Sequence, residues 1–265
     1  MDERIDYQLR NGVAYVRLNR PDKRNALDWD SFKAIVSAQK AIAKDRRVRA
    51  VVLSGAGEDF CSGLDVKSVL GKPRQALGLL AKWWPGRANL AQRVSTGWRD
   101  LPVPVIAVLH GRIWGGGLQI ALGADFRIVS PDGDLSVMEG KWGLIPDMGG
   151  SLALRELMAA DHALWLAMTA ERIGAERALE LGLVTEVCDD PEARAREMVD
   201  TLLACSPDAL AAVKGLFREH NLPGRGRLLA AETWRQCKVL MGRNQRIATA
   251  RAQGKEREFA PRRGW

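Results

Sequence analysis

Two glycine-marked turns in this chain have the residue types and the placement to hold an oxygen anion. The first is Gly115-Gly116-Gly117 inside "GRIWGGGLQIALGAD" (111–125), between a β-like run and an alanine-rich run. A strand that ends in three glycines and continues into a helix turns several backbone N–H groups toward one point. Glycine lets a ligand approach closely, and the helix end adds partial positive charge. That suits an anion or a developing oxyanion; a tight strand-to-helix turn is the plain structural alternative. The second turn, "GAGEDFCSGLDV" (55–66), follows the apolar run "RAVVLSG". Two strand ends of one sheet can each offer an N–H to the same atom. Other reactive side chains stand alone. His110 has no partnered serine or cysteine motif and is expected to be structural. Cys61 adjoins the second turn, with nothing basic beside it to favour a thiolate. Tryptophan is abundant at 83, 84, 98, 114 and 142. Trp114 and Trp142 border the glycine-marked region and could shape a pocket, although large aromatics commonly fill core.

The elements that must position these turns are legible from period and punctuation. "IDYQLR", Asn11-Gly12 and "VAYVRLNR" predict a hairpin. Residues 28–44 change to a helical period, with Phe32, Ile35, Val36 and Ile42 on one face and Asp28 as N-cap. "RAVVLSG" (49–55), "VPVIAVLHG" (103–111) and "DFRIVS" (125–130) are apolar runs suited to buried parallel strands. Strands alternating with helices predict a layered α/β core. From about residue 150 onward nearly everything is helical in period except "LVTEV", and "GKPRQALGLLAKWWPGR" (71–87) reads as a variable loop or lid.

The 265 residues, 46% hydrophobic, fit one large domain or a core with a helical appendage. No 18-residue apolar run suggests a membrane span, and the charged start lacks an apolar leader segment. Four cysteines without zinc spacing or disulfide rhythm fit a reducing cytoplasm. The net charge of +8 admits nucleic acid, an anionic membrane or a phosphorylated ligand. The basic residues, however, interleave with acids, and the densest cluster, "KDRRVR" (44–49), is short. No aromatic RNA-binding signature accompanies them, so a metabolic enzyme with a solvated charged surface is expected, with neither a nucleic-acid nor a membrane partner.

Five segments, in order, resemble the crotonase (enoyl-CoA hydratase/isomerase) superfamily over nearly the whole chain. They are "LNRPDKRNAL" (18–27), "GEDFCSGLD" (57–65), "PVPVIAVLHGRIWGGG" (102–117), "GLIPDMGGSLAL" (143–154) and "AERIGAERALELGLVTEV" (170–187). The resemblance implies a crotonase-like ββα spiral core over 1–200 and a C-terminal helical trimerisation region over 201–265. It implies a homotrimer or a dimer of trimers acting on an acyl-CoA thioester. Coenzyme A is then part of the substrate, and no cofactor or metal is expected. The backbone N–H groups of Leu64 and Gly116 match the family's two thioester-oxygen donors. Arg24, Asn25 and Ala26, together with Ser62, Gly63, Asp65, Gly115, Gln119, Trp114 and Trp142, are the implied substrate-binding residues.

Hydratases of the family use two glutamates. This chain has Gln119 at the first matching position, where an amide can orient but cannot exchange a proton, and Glu139 at the second. Glu139 also matches the single proton-shuttling glutamate of the family's enoyl-CoA isomerases. Asp147 matches an acid of its dienoyl-CoA isomerases, and could equally cap the helix that follows. Double-bond isomerisation through Glu139 is therefore the expected activity. Hydration with Gln119 in place of one glutamate, and a weakly catalytic or RNA-binding homologue, are the alternatives. Ile113 and Ser62 stand where relatives commonly carry alanine, and bear on the choice of substrate rather than on the fold.

Overall fold

The computed structural model describes residues 3–70, 73–82, 87–218, 233, 234 and 236–264. The chain runs β1 (Ile5–Arg10), β2 (Val13–Leu18), α1 (Trp29–Lys44), β3 (Ala50–Gly55), α2 (Val66–Leu70), α3 (Pro73–Leu80) and α4 (Leu90–Arg99). It continues with β4 (Val105–Leu109), β5 (Arg112–Trp114), α5 (Gly116–Ala121), β6 (Phe126–Val129) and β7 (Asp134–Ser136). Then follow α6 (Gly150–Leu157), α7 (Ala160–Thr169), β8 (Arg172–Gly174), α8 (Ala175–Glu180), β9 (Glu186–Val187), α9 (Pro191–Leu203), α10 (Pro207–Arg218) and α11 (Arg243–Ala252).

The expected α/β class holds. Six strands form one sheet in the order β1-β2-β3-β4-β6-β9. Only β1 is antiparallel to its neighbour, with Arg10 opposite Val13. Asn11 and Gly12 join the pair with φ of 49° and 79°, the left-handed conformations that a two-residue hairpin turn requires. Asp28 accepts a hydrogen bond from Ser31 N at 2.8 Å and starts α1, whose Phe32, Ile35, Val36 and Ile42 are all buried.

Side chains alternate across the sheet, so each central strand feeds two layers. Val51, Leu53, Val105, Ala107 and Leu109 pack with α1 and α4 in the larger core, around the fully buried Trp98. Ala50, Val52, Ile106 and Val108 face the other way, onto Ala195 and Val199 of α9. Burying each such aliphatic side chain contributes roughly 1.5–3 kcal/mol. Arg127, within β6, is buried and ties that strand to the segments that lead into β6 and β9. Its Nε donates to Leu183 O at 2.9 Å and its Nη1 to Ala124 O at 2.7 Å. Burial pushes that guanidinium down to about 10.

Two expectations need correction. The segment 71–87 is not wholly loop, because Pro73–Leu80 is helical; Gly71, Lys72, Trp83 and Trp84 lie outside the described residues. The final third contains β8, and β8 joins β5 and β7 in a second, three-stranded sheet. Each of these three strands has only three residues, too short for alternation to register as a period. Among the described residues no helix is long and apolar enough to cross a membrane.

Candidate active site

The two glycine turns meet. After β3, residues 56–65 run alongside β5, where Cys61 N donates to Arg112 O and Trp114 N to Cys61 O, both at 3.0 Å. A second bridge pairs Leu64 with Leu27. Leu27 N donates to Gly63 O at 2.8 Å, and Asp65 N to Leu27 O at 2.9 Å. Backbone groups of successive residues in an extended pair alternate in direction. Gly63 and Asp65 face Leu27, so the Leu64 N–H points away from it. Gly63 holds φ at 92°, and a Cβ there would lie 2.9 Å from Trp114 O and 3.5 Å from Gly116 N. Gly116 opens α5, where the first amides have no helical acceptor. Leu64 and Gly116 thus bring backbone donors into one wall of a cavity of about 420 Å³, with Ser62, Gly63, Trp114 and Gly115 beside them.

The residues expected to bind substrate around position 24 support this wall. Arg24 and Asn25 both have positive φ, at 52° and 55°. Asn25 is buried; its Nδ2 donates to Ala56 O and Asp59 O at 2.9 and 2.8 Å, and its Oδ1 accepts from Arg20 N at 2.8 Å. Arg24 O accepts from Ser62 N, and Ala26 O accepts from the Arg20 guanidinium. Asp65 accepts from Ser68 N at 3.1 Å at the start of α2 and pairs with Arg20 at 3.4 Å. None of Arg24, Asn25, Ala26 and Asp65 lines the cavity.

Close to Gly115, the 3-10 turn Met138–Trp142 carries Glu139 onto the same cavity wall, where a Cβ at Gly115 would lie 3.3 Å from Glu139 Oε1. Its Oε1 accepts from Gln119 Nε2 at 2.6 Å, while its Oε2 is buried with no hydrogen-bond partner. Burial pushes the Glu139 carboxyl up, and the nearby Asp147 charge adds to this. Its own backbone N–H and the Gln119 amide pull it back in part. Gln119 is itself only 1% exposed and lies behind Glu139, off the cavity wall. Its Oε1 accepts from Met148 N and Gly150 N at 2.9 and 3.0 Å.

Asp147 lines the cavity with its side chain open to solvent, and partial burial moves its carboxyl upward. It does not cap the following helix: the N-cap of α6 is Gly149 at φ 89°, with no side-chain cap. Trp114 carries the Arg112 and Arg172 guanidiniums 5.4 and 5.0 Å from its ring centroid, and Trp142 is an exposed rim residue. Trp98 is core. His110 Nε2 meets Gly57 O at 3.0 Å and is absent from the cavity wall. The Cys61 thiol is fully buried and pushed up to about 12, an inert state. Ile113 is buried away from the cavity.

Sequence reasoning missed the rest of the lining. Phe32, Leu79, Met138 and Met148 supply apolar surface, and Lys141 and Arg172 bring positive charge. Met138 and Lys141 flank Glu139, and Met148 sits beside Asp147, so these three had a local signal. Among the described residues no group of three or more His, Cys, Asp or Glu is placed to hold a metal ion. Two N–H donors and a carboxyl lining one largely apolar cavity can hold a carbonyl oxygen while a neighbouring carbon exchanges a proton.

Known proteins are similar to this chain in sequence and fold. The family described as enoyl-CoA hydratase/isomerase matches residues 8–233. The enoyl-CoA hydratase EchA19 of Mycobacterium tuberculosis is 31% identical over 214 residues, covering 80% of this chain and 79% of its own. The carnitinyl-CoA dehydratase of Salmonella typhi is 34% identical over 214 residues, covering 79% and 78%. Among solved structures, an enoyl-CoA hydratase from Polaromonas sp. JS666 superposes with a TM-score of 0.85 at 28% identity, covering 98% of this chain and 99% of that one. An enoyl-CoA hydratase from Mycobacterium smegmatis gives 0.85 at 26%, covering 97% and 99%. A matched family model over most of the chain, relatives above 30% identity and a shared crotonase fold place this protein in the enoyl-CoA hydratase/isomerase family of acyl-CoA enzymes.

Proposed function

We propose that the protein moves a double bond in an enoyl-CoA thioester, with Glu139 as the single acid/base. The thioester oxygen of a 3-enoyl-CoA accepts hydrogen bonds from Leu64 N–H and Gly116 N–H. Glu139 takes a proton from C2, and the electron pair spreads into a dienolate whose oxygen charge those two donors stabilise. The protonated Glu139 then returns the proton to C4, and the double bond comes to rest conjugated with the thioester. Protons and electrons balance without an external reductant or a resident cofactor.

The observation that carries this reading is the state of Glu139. It is a half-buried carboxyl on the cavity wall, with one buried oxygen lacking any partner and a neutral amide bonded to the other. Burial raises such a group above its ordinary value, which makes it a stronger base once ionised. Glu139→Gln abolishes proton exchange while keeping the shape. Turnover of 3-hexenoyl-CoA, followed as formation of the conjugated thioester, is expected to fall on the order of 100- to 10,000-fold. Unchanged turnover overturns the reading.

A second reading is addition or removal of water across a 2-enoyl-CoA. Asp147 on the same cavity supports it, as do relatives named hydratase and carnitinyl-CoA dehydratase. Asp147→Asn separates the two: loss of hydration of a 2-enoyl-CoA favours this reading, and retained isomerisation with no hydration in the parent favours the first. Assembly into trimers through residues 201–265 belongs to either reading and is tested by sedimentation.

A further inference from the structure

Gln119 occupies a position where the family's hydratases keep a proton carrier, yet it neither reaches the cavity nor has freedom to turn. Its Oε1 accepts two backbone N–H groups, from Met148 at 2.9 Å and Gly150 at 3.0 Å. Both acceptor sites of the amide oxygen are therefore filled. Flipping the amide would set its NH₂ against two N–H donors, so the amide has a single orientation. That orientation aims Nε2 at Glu139 Oε1, 2.6 Å away. The backbone is packed to match: a Cβ at Gly150 would lie 2.8 Å from Gln119 Oε1. Gln119 is 1% exposed, so water cannot replace either contact.

We infer that Gln119 is a positioning residue whose locked amide holds Glu139 Oε1 as a permanent acceptor and fixes the base to the turn at 147–150. The inference rests on the reading of Glu139 as acid/base. It adds what holds the base in place. The amide donates and never accepts at Nε2, so its bond to Oε1 favours the ionised carboxyl, while Oε2 is buried with no partner of its own.

Other charged groups near Glu139 are few. Asp147, Lys141 and Arg172 line the same cavity, and Arg172 is paired with Asp134. The packed α7 meets the 3-10 turn through the carbonyls of Ala167 and Met168, near Gly140. Its own titratable residues, Asp161 and His162, lie in its opposite, first turn.

Two variants test the inference against Glu139→Gln. In Gln119→Glu, the carboxylate at 119 keeps the two backbone N–H bonds and shares one proton with Glu139. Those N–H groups favour the ionised form at 119, so the shared proton rests on Glu139 and blocks it. The expected result with 3-hexenoyl-CoA is at least a tenfold fall in kcat at neutral pH. The acid limb of the pH–rate profile moves up by at least one unit, with KM changed less than threefold. Gln119→Met keeps the volume and removes every hydrogen bond; kcat falls at least tenfold and the limb again moves up. Thermal melting reports whether each variant folds, and if the Glu variant does not, the Met variant carries the same decision. Folded variants whose pH profile matches the parent, beside an inactive Glu139→Gln, overturn the role of Gln119 alone. An active Glu139→Gln overturns the acid/base reading itself.

Discussion

Alanine at Gly63 would separate the strength of the loop from the work of its amides. Gly63 holds φ at 92°, a region that costs an L-residue roughly 1–2 kcal/mol. The new Cβ would also lie 2.9 Å from Trp114 O, a backbone atom that cannot swing aside as a side-chain tip would. The loops must therefore part by a few tenths of an ångström. The atoms that move are the peptide presenting Leu64 N–H and the one just before Gly116. Complete loss of one such donor costs about 3 kcal/mol in the transition state, on the order of 100-fold in kcat. A partial displacement should then lower kcat about 10- to 100-fold. The strain alone should lower Tm by about 5 °C for a chain of this size. Gly254→Ala is the control: φ is 81°, nothing lies within 4 Å of its Cβ position, and it is remote from the cavity. Steady-state kinetics with 3-hexenoyl-CoA and thermal melts on both variants give the answer. If Gly63→Ala melts early but turns over at the parent rate, the Leu64 and Gly116 amides are not the donors.

Two further outcomes follow from buried groups. Arg127→Met should destabilise the protein by about 2–4 kcal/mol in urea unfolding, because Leu183 O and Ala124 O lose their buried donor; a change under 1 kcal/mol would refute that role. The Glu139 carboxyl is raised above its ordinary 4.5, so the folded state holds its proton to higher pH than the unfolded chain does. Wild-type stability relative to Glu139→Gln is thus expected to fall as pH climbs from about 4.5 through the raised value, and to level off above it. The same ionisation sets the acid limb of turnover, since the base works only once deprotonated. Parallel pH dependence of stability in the two proteins would show that the carboxyl is not raised.

What was legible in the sequence follows from how far each signal reaches along the chain. Asn11-Gly12, the Asp28 cap and the apolar runs at 50–55 and 105–109 are local, and each became the expected element. The paired glycine turns were legible too, because backbone donors need only a turn and a register, whatever side chain sits at Leu64. The three-residue strands of the second sheet were not, since their pairing joins residues 112, 134 and 174 and leaves no period to read. The same limit explains Arg24, Asn25, Ala26 and Asp65. A motif marks that these residues matter, but only the fold shows that Asn25 bonds Ala56, Asp59 and Arg20 and so braces the loop. Gln119 is the sharpest case. Its chemistry, an amide in place of an acid, is evident from the letter alone. Its partners, however, are backbone N–H groups at 148 and 150, and a backbone N–H carries no sequence signature. Glutamine at 119 therefore reads as a lost acid from the sequence, whereas in three dimensions it is the group that fixes how the remaining acid is held.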